Sequence, residues 1–487
     1  MKNTMILTFD TAPILTPETL DLAARAKTLS ISFSNEARLA VESSHAALQR
    51  LVAANAPVYG ITTGFGPLVR YGVPPTNDAQ GIGLIRHLGA GFGAPVEQTI
   101  VRAAMLLRLH TLARGHSGVS QAALDEYAKS AEQPIMPDVP SIGSLGASGD
   151  LIPLAHIVQH LQMPHKYTLS GRDALAFVNG TSFSTAFAAL ALVRVERVIT
   201  RLEELTGWIM RLWGCRRSSL DARLHEAKGQ AGQILSAQNI AKEVSKYATF
   251  EDATRPLQEI YSIRCAPQIL GAVRDVMRSV REMIQAEMSG IDDNPLIAVS
   301  DDEASGEASN EAIHGGNFMT QHIAFAADML NNAVTQAGNL AERHVYALTS
   351  PEMSGAPLLL SFEPGTASGM AGVQLTATAL VAEMRSNAQC YASSTLPTNA
   401  GNQDIVPMGF QAARVVYEQT ERLAGILACE ALCCAQLVFL ISEGLAKGQP
   451  SPPPDFFQSA LRDFMPLRED RTMHGEIATL AEILLRE

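Results

Sequence analysis

The stretch SIGSLGASGDLIPLAHI at 141–157 holds the residues best suited to unusual chemistry. Gly143, Gly146 and Gly149 crowd into seven positions, and a helix is expected to start at Asp150. Within it, Ala147-Ser148-Gly149 is a tripeptide able to condense on itself. The amide nitrogen of Gly149 must approach the carbonyl carbon of Ala147, and a residue without Cβ lets the backbone fold that tightly. Loss of water from the ring, and then from Ser148, leaves an exocyclic methylidene, an electrophile made from the chain itself. Flanking helix N-termini would stabilise negative charge there. Three such residues alone are equally explained by a flexible turn; the glycine context favours condensation. Further on, Tyr261 and Arg264 in QEIYSIR stand three apart and would share one face of a helix. A guanidinium fork matches a carboxylate in two bonds, although a lone arginine also serves in structural ion pairs.

Other motifs fall away. No GxxxxGK[ST] occurs, and GAGFGA at 89–94 lacks the last glycine of a dinucleotide fingerprint and lies between helical stretches. There is no HExxH. His156 and His160 have the i, i+4 spacing of a metal pair but no nearby third ligand, so they read as packing histidines and no metal is expected.

The elements that must position these residues read mostly as helix. Between Ile269 and Ile284 apolar residues recur at 269, 273, 276, 280, 283 and 284, one stripe of a helix. Segments 183–214, 318–348, 370–394 and 406–446 are long, rich in Ala and Leu, and free of internal proline apart from Pro407. Such lengths predict a mainly α fold, a bundle of long rods with few and short strands. Gly- and Pro-rich breaks at 58–73, 89–95, 134–153, 290–297, 351–369 and 396–409 read as loops, the places where a rigid scaffold presents chemistry. GQPSPPP at 448–454 reads as a plain linker before a final helical hairpin. A soft boundary near 200 separates a loop-rich N-terminal part, 1–200, from a long-helix part, 201–487.

The 487 residues are 47% hydrophobic and only 18% charged, with a net charge of −12. The core can be large, and so few charges point to extensive subunit contacts. An acidic chain without a Lys/Arg block suits neither nucleic acid nor an anionic membrane surface. Six cysteines without a CxxC pair exclude a disulfide scaffold. The start, MKNTMILTFDTAPIL, lacks a basic region followed by an apolar run, and ILACEALCCAQLVFLI carries Glu430 and Gln436 and is short for a span. A cytoplasmic protein is expected.

Several separated motifs together resemble the aromatic amino acid ammonia-lyase and aminomutase family. They are VYGITTGFG at 58–66, GSLGASGDLIPLAH at 143–156, FVNGT at 177–181, QEIYSIRCAPQ at 258–268, DDNPLI at 292–297, HGGNF at 314–318 and NQDIVPMG at 402–409. The resemblance runs over nearly the whole chain. It implies a prosthetic group, 4-methylidene-imidazole-5-one (MIO), formed autocatalytically from Ala147, Ser148 and Gly149. It also implies a helical homotetramer of the ammonia-lyase/fumarase-like type whose active sites take loops from different subunits.

The reaction so implied removes a barely acidic β-proton and a poor leaving group, the amine, from an α-amino acid. Tyr59, in a loop with Gly60, Gly64 and Gly66, is the implied base. Its phenol has an ordinary pKa of about 10, so positive potential nearby would have to lower it. Tyr261 resembles the family's second tyrosine near MIO, and Arg264 its carboxylate clamp. Asn179 and Gln258 match positions that hydrogen-bond the MIO carbonyl or the substrate; Asn317 and Phe318 match the position beside ring and carboxylate. Asn402 and Gln403 match the loop that borders MIO, and Met370 an apolar wall. His87-Leu88 resembles the pair found in tyrosine lyases, where phenylalanine lyases have Phe-Leu and histidine lyases Ser-His. A histidine here exchanges a hydrogen bond with a para-hydroxyl, and leaving it unpaired penalises phenylalanine. Gln403 stands where the histidine-lyase pattern wants Glu. The expected reaction is L-tyrosine to trans-4-coumarate and ammonia, with a tyrosine 2,3-aminomutase or a lyase for phenylalanine or histidine as alternatives. Departures from the family's pattern are a short connection at 162–176, GQAGQ at 229–233, Glu259 for Asp and Pro407 for Ser.

Overall fold

The structure is a computed structural model that describes residues 4–13, 15–74, 78–165, 169–247, 251–301 and 308–486. It is mainly helical, and strands among the described residues form three two-stranded sheets. The chain divides into two compact units. One comprises residues 1–190, 281–328 and 390–414, the other 191–280, 329–389 and 415–487. Two stretches beyond residue 200 thus belong with the N-terminal part, because their partners are distant in sequence: Thr320 bonds Gly146, and Gln411 bonds Ser144.

In the first unit, helix Gln98–Leu112 is buried on every side from Ile100 to Leu112. Met5–Phe9 pairs parallel with Leu29–Phe33, Phe92–Pro95 antiparallel with Pro140–Ile142, and Leu296–Asp301 antiparallel with Ala308–Ile313. Three helices, Asp78–Leu88, Leu151–His165 and Gly171–Val178, pack on one another. The first ends in His87-Leu88, the second follows the Ala-Ser-Gly segment, and the third is capped by Asn179. Ser170 starts the third by accepting from the Asp173 amide, worth about 1 kcal/mol. Phe177, stacked on Tyr127 at 4.7 Å, then ties it to helix Gln121–Ala131. Of the short connection 162–176, residues 166–168 and the side chains of 162–168 lie outside the described residues.

The second unit is the rod-rich part. Arg274 grips Glu203 through two bonds of 2.7 and 2.6 Å, and Arg211 meets Glu243 at 2.8 Å, each pair joining two helices inside the unit. Helices Ser182–Trp213, Gln321–Thr349 and Gly409–Ser442 match the predicted rods within a few residues. The segment predicted over 370–394 is helical only over Ala371–Ser386. Helix Ala266–Ser289 forms as expected, but its fully buried line runs through Leu270, Val273, Met277, Val280 and Ile284, so the stripe is turned slightly from the one expected. The segment 448–454 is more than a linker: Trp208 donates to the Ser451 carbonyl at 3.1 Å, and Gln449 to that of Leu212. Residues 171–213 and 409–442 are helical stretches long and apolar enough to cross a bilayer, but their apolar windows are 100% and 83% buried in the protein.

Candidate active site

A cavity of about 850 Å³ opens in the first unit. Tyr59, His87, Leu88, Ala147, Ser148, Gly149, Asn179, Phe318, Asn402 and Gln403 all line it. Ten of the fifteen residues singled out from sequence therefore meet at one place. Among the described residues that line it there is no Asp, Glu, Lys or Arg; their polar groups are amides, hydroxyls, the Tyr59 phenol and the His87 ring.

The Ala147-Ser148-Gly149 segment is held at both ends. Upstream, the Gly146 carbonyl accepts from the Thr320 amide and hydroxyl, each at 3.0 Å, and Gln411 donates to the Ser144 carbonyl at 2.7 Å. Downstream, the Asp150 amide donates to the Gly180 carbonyl at 2.7 Å. Gly149 has φ +70°, and a Cβ there would lie 2.4 Å from the Gly180 oxygen, so glycine is required twice over. In the middle, Asn179 donates from Nδ2 to the Ser148 carbonyl at 3.1 Å, and Gln403 from Nε2 to Ser148 Oγ at 2.5 Å.

Behind the segment lies a buried charged layer that residue type and spacing do not reveal. Asp150 accepts from the Ser144 and Ser184 hydroxyls and the Ser184 amide; burial nevertheless pushes its carboxyl up to about 6. Arg108, fully buried, donates to the Asn179 carbonyl at 2.9 Å and to Asp292 at 3.1 Å. Arg172 meets Asp293 at 2.9 Å. Thr181 donates its amide to Asp292, and its hydroxyl lies 2.7 Å from Glu287, whose carboxyl burial raises to about 7. The Asp292-Asp293 pair of DDNPLI thus fixes the turn that carries Asn179. The sequence displayed the motif, but an arginine's type does not tell a buried partner from a surface one.

Tyr59 differs from expectation. Its hydroxyl accepts from the Gly66 amide at 2.7 Å, its own amide donates to His314 Nε2 at 3.1 Å, and its ring meets Phe65 edge-on. Burial pushes the phenol above its ordinary value, and no cation in the cavity wall opposes this. His87 places Nδ1 3.1 Å from the Gly83 carbonyl. A carbonyl only accepts, so Nδ1 carries the hydrogen, and in the neutral ring Nε2 is an acceptor. Gln159 braces the same turn through the Ile85 carbonyl at 2.9 Å.

Five singled-out residues do not line this cavity. Asn317 donates to the Ile291 carbonyl at 3.0 Å and faces a separate cavity of about 770 Å³ with Glu287 and Asp292. Gln258, Tyr261, Arg264 and Met370 belong to the second unit. There Gln258 is exposed, Tyr261 is 70% exposed, and Arg264 lies over the Tyr261 ring at 4.6 Å, the shared face expected from their spacing. Met370 is 0% exposed, a residue of that unit's own core rather than a wall of this cavity. Among the described residues no group of three or more His, Cys, Asp or Glu is arranged to hold a metal ion.

The model of the family described as aromatic amino acid lyase matches residues 15–167 and 162–462. A tyrosine ammonia-lyase of Cereibacter sphaeroides is 35% identical over 88% of this chain and 88% of its own length. A histidine ammonia-lyase of Geobacillus kaustophilus is 34% identical over 87% of this chain and 86% of its own. The crystal structure of a tyrosine aminomutase from Streptomyces globisporus superposes with a TM-score of 0.86 at 29% identity, covering 99% of this chain and 97% of that one.

Proposed function

Since the chain belongs to the aromatic amino acid lyase family, we propose that this carbon–nitrogen lyase converts L-tyrosine to trans-4-coumarate and ammonia. The observation that carries the reading is the company Ser148 keeps. Asn179 holds the Ser148 carbonyl, the one an MIO ring retains, and Gln403 holds the hydroxyl that must leave as water. Donors on both atoms, glycine on the far side and a clamp at either end fit a segment that condenses to MIO. Once formed, that group supplies an electrophile for the substrate amine. The two water losses make the intact mass a direct check.

The substrate reading rests on the wall. With Nδ1 committed to Gly83, His87 offers an acceptor to a phenolic hydroxyl. Without a carboxylate in the wall, an imidazolium gains nothing, which disfavours histidine although histidine lyases are nearly as similar as the tyrosine lyase. Purified protein mixed with L-tyrosine should therefore build cinnamate-type absorbance. Turnover of phenylalanine or histidine with none of tyrosine would refute the substrate. His87 is exposed in the single chain, so its partnership counts only where the bound substrate shuts out water; in His87→Phe the tyrosine-to-phenylalanine ratio of kcat/KM should then fall by roughly 10-fold, about 1.4 kcal/mol. An unchanged ratio would remove His87 from recognition.

The described residues lining the cavity offer a substrate carboxylate only neutral donors. We assign the task of holding it to Arg264, with Tyr261 beside it and Gln258 near, contributed by a neighbouring copy in a homotetramer. Phe325, Met329 and Tyr346, exposed along helix Gln321–Thr349, suit such an interface, and light scattering would test it. The likeness to a tyrosine aminomutase supports a second outcome, return of the amine to the β-carbon, which chromatography for β-tyrosine decides. Buried free thiols such as Cys429, Cys433 and Cys434 suit a reducing cytoplasm.

A further inference from the structure

Helix Tyr261–Arg264 is four residues long, far too short to persist on its own. Its side chains give little help: Tyr261 is largely exposed, and only Ile263 is buried. Yet Tyr261 and Arg264 must keep one orientation if they are to meet a substrate. Through Cys265 the turn leads into helix Ala266–Ser289, and a pair of side chains from two long helices holds it from the side. His344 on Gln321–Thr349 lies with Nε2 2.8 Å from the Ser262 carbonyl, between the two residues at issue. Its Nδ1 lies 2.8 Å from Glu430 Oε1 on Gly409–Ser442, and neither side chain has any exposure.

The chemistry of the pair makes it a one-way clamp. A carbonyl only accepts, so Nε2 must carry a hydrogen. Glu430 keeps Nδ1 satisfied whether the shared proton sits on the ring or on the carboxyl, so the ring cannot flip to the other tautomer. Burial disfavours charge on both groups: it pushes Glu430 above its ordinary value although the His344 ring pulls it down, while Glu430 beside it holds His344 above its own in spite of burial. Just upstream a second tie holds the approach. Arg255 grips Glu259 in two bonds of 2.8 and 2.5 Å and donates to the Met353 carbonyl. The pair costs desolvation, and an apolar pair of the same volume would pack as well. Holding the Ser262 carbonyl is what its hydrogen-bond pattern adds.

We propose that His344 and Glu430 are positioning residues that aim Arg264 at the substrate carboxylate by fixing the Ser262 carbonyl. This rests on the reading of Arg264 as the carboxylate clamp. The test uses the whole protein and two ligands, 4-coumarate, which has the carboxylate, and 4-ethylphenol, which lacks it. His344→Asn leaves an amide where Nδ1 was, toward Glu430, but falls short of Ser262; His344→Gln extends to the Nε2 position. The asparagine variant should bind 4-coumarate on the order of tenfold more weakly with 4-ethylphenol unchanged, and the glutamine variant should recover most of the loss. Should the asparagine variant not fold, His344→Leu with Glu430→Met, which leaves no buried charge unpaired, should show the same selective loss. Unchanged 4-coumarate binding in these variants, or equal weakening of both ligands, overturns the proposal. Arg264→Leu separates the two ideas: if it too leaves 4-coumarate binding intact, the carboxylate reading itself has failed.

Discussion

Ser148→Ala is expected to give a folded protein whose turnover has fallen by roughly 10⁴-fold or more, about 5 kcal/mol of transition-state stabilisation. The fold should survive because the Ser148 hydroxyl's bond is to Gln403 at the cavity wall, while the carbonyl that meets Asn179 belongs to the backbone. The clamps at Ser144, Gly146 and Asp150 are untouched. What is lost is the oxygen whose departure creates the methylidene. Intact mass separates this from a general loss of function: the natural protein should weigh two waters less than its sequence, the variant at most one. A natural protein at full sequence weight, or a variant with normal turnover, would end the assignment of Ser148 as the source of the electrophile.

That assignment came from sequence, and the reason is local. Condensation needs three adjacent residues, so spacing along the chain is enough to display it. The long rods were legible for a similar reason, since periodicity over thirty residues reports one face of one helix. The limit appears where the information is not local. Residues 370–394 read as one helix, but the chain leaves it after Ser386, and the Ala392 amide finds the Asp328 carboxylate, a partner 64 residues away. Residues 281–328 and 390–414 join the first 190 through bonds such as those of Thr320 and Gln411, which no periodicity records. The buried layer of Arg108, Arg172, Asp292 and Asp293 is hidden for another reason: a charged side chain reads as surface until its partner is known. Met370 is the opposite case: an apolar side chain fits a cavity wall and a core equally well, and only its full burial in the second unit tells where it lies.

The protonation of Tyr59 follows from surroundings the sequence could not supply, and it yields the second large effect. Tyr59→Phe should retain the two-water mass loss and lose roughly 10²–10⁴-fold in kcat, the span expected for a missing general base. Burial works against the phenolate, and the Gly66 amide, which favours it, does not compensate; the phenol titrates above its ordinary value. The sign follows directly. The phenolate is the active form, so below the phenol's pKa the rate of the natural protein should climb with pH, about tenfold per unit where this ionisation alone limits it. The described residues lining the cavity include no Lys or Arg that would bring that limb down toward neutrality. A guanidinium from a neighbouring copy would, by stabilising the phenolate. Arg264→Met should then move the rising limb to higher pH, beyond its effect on substrate affinity, while Tyr59→Phe should abolish the limb. A limb that persists in the phenylalanine variant at near-normal rates would transfer the base role to another residue, with Tyr261, which shares a face with Arg264, the first to replace.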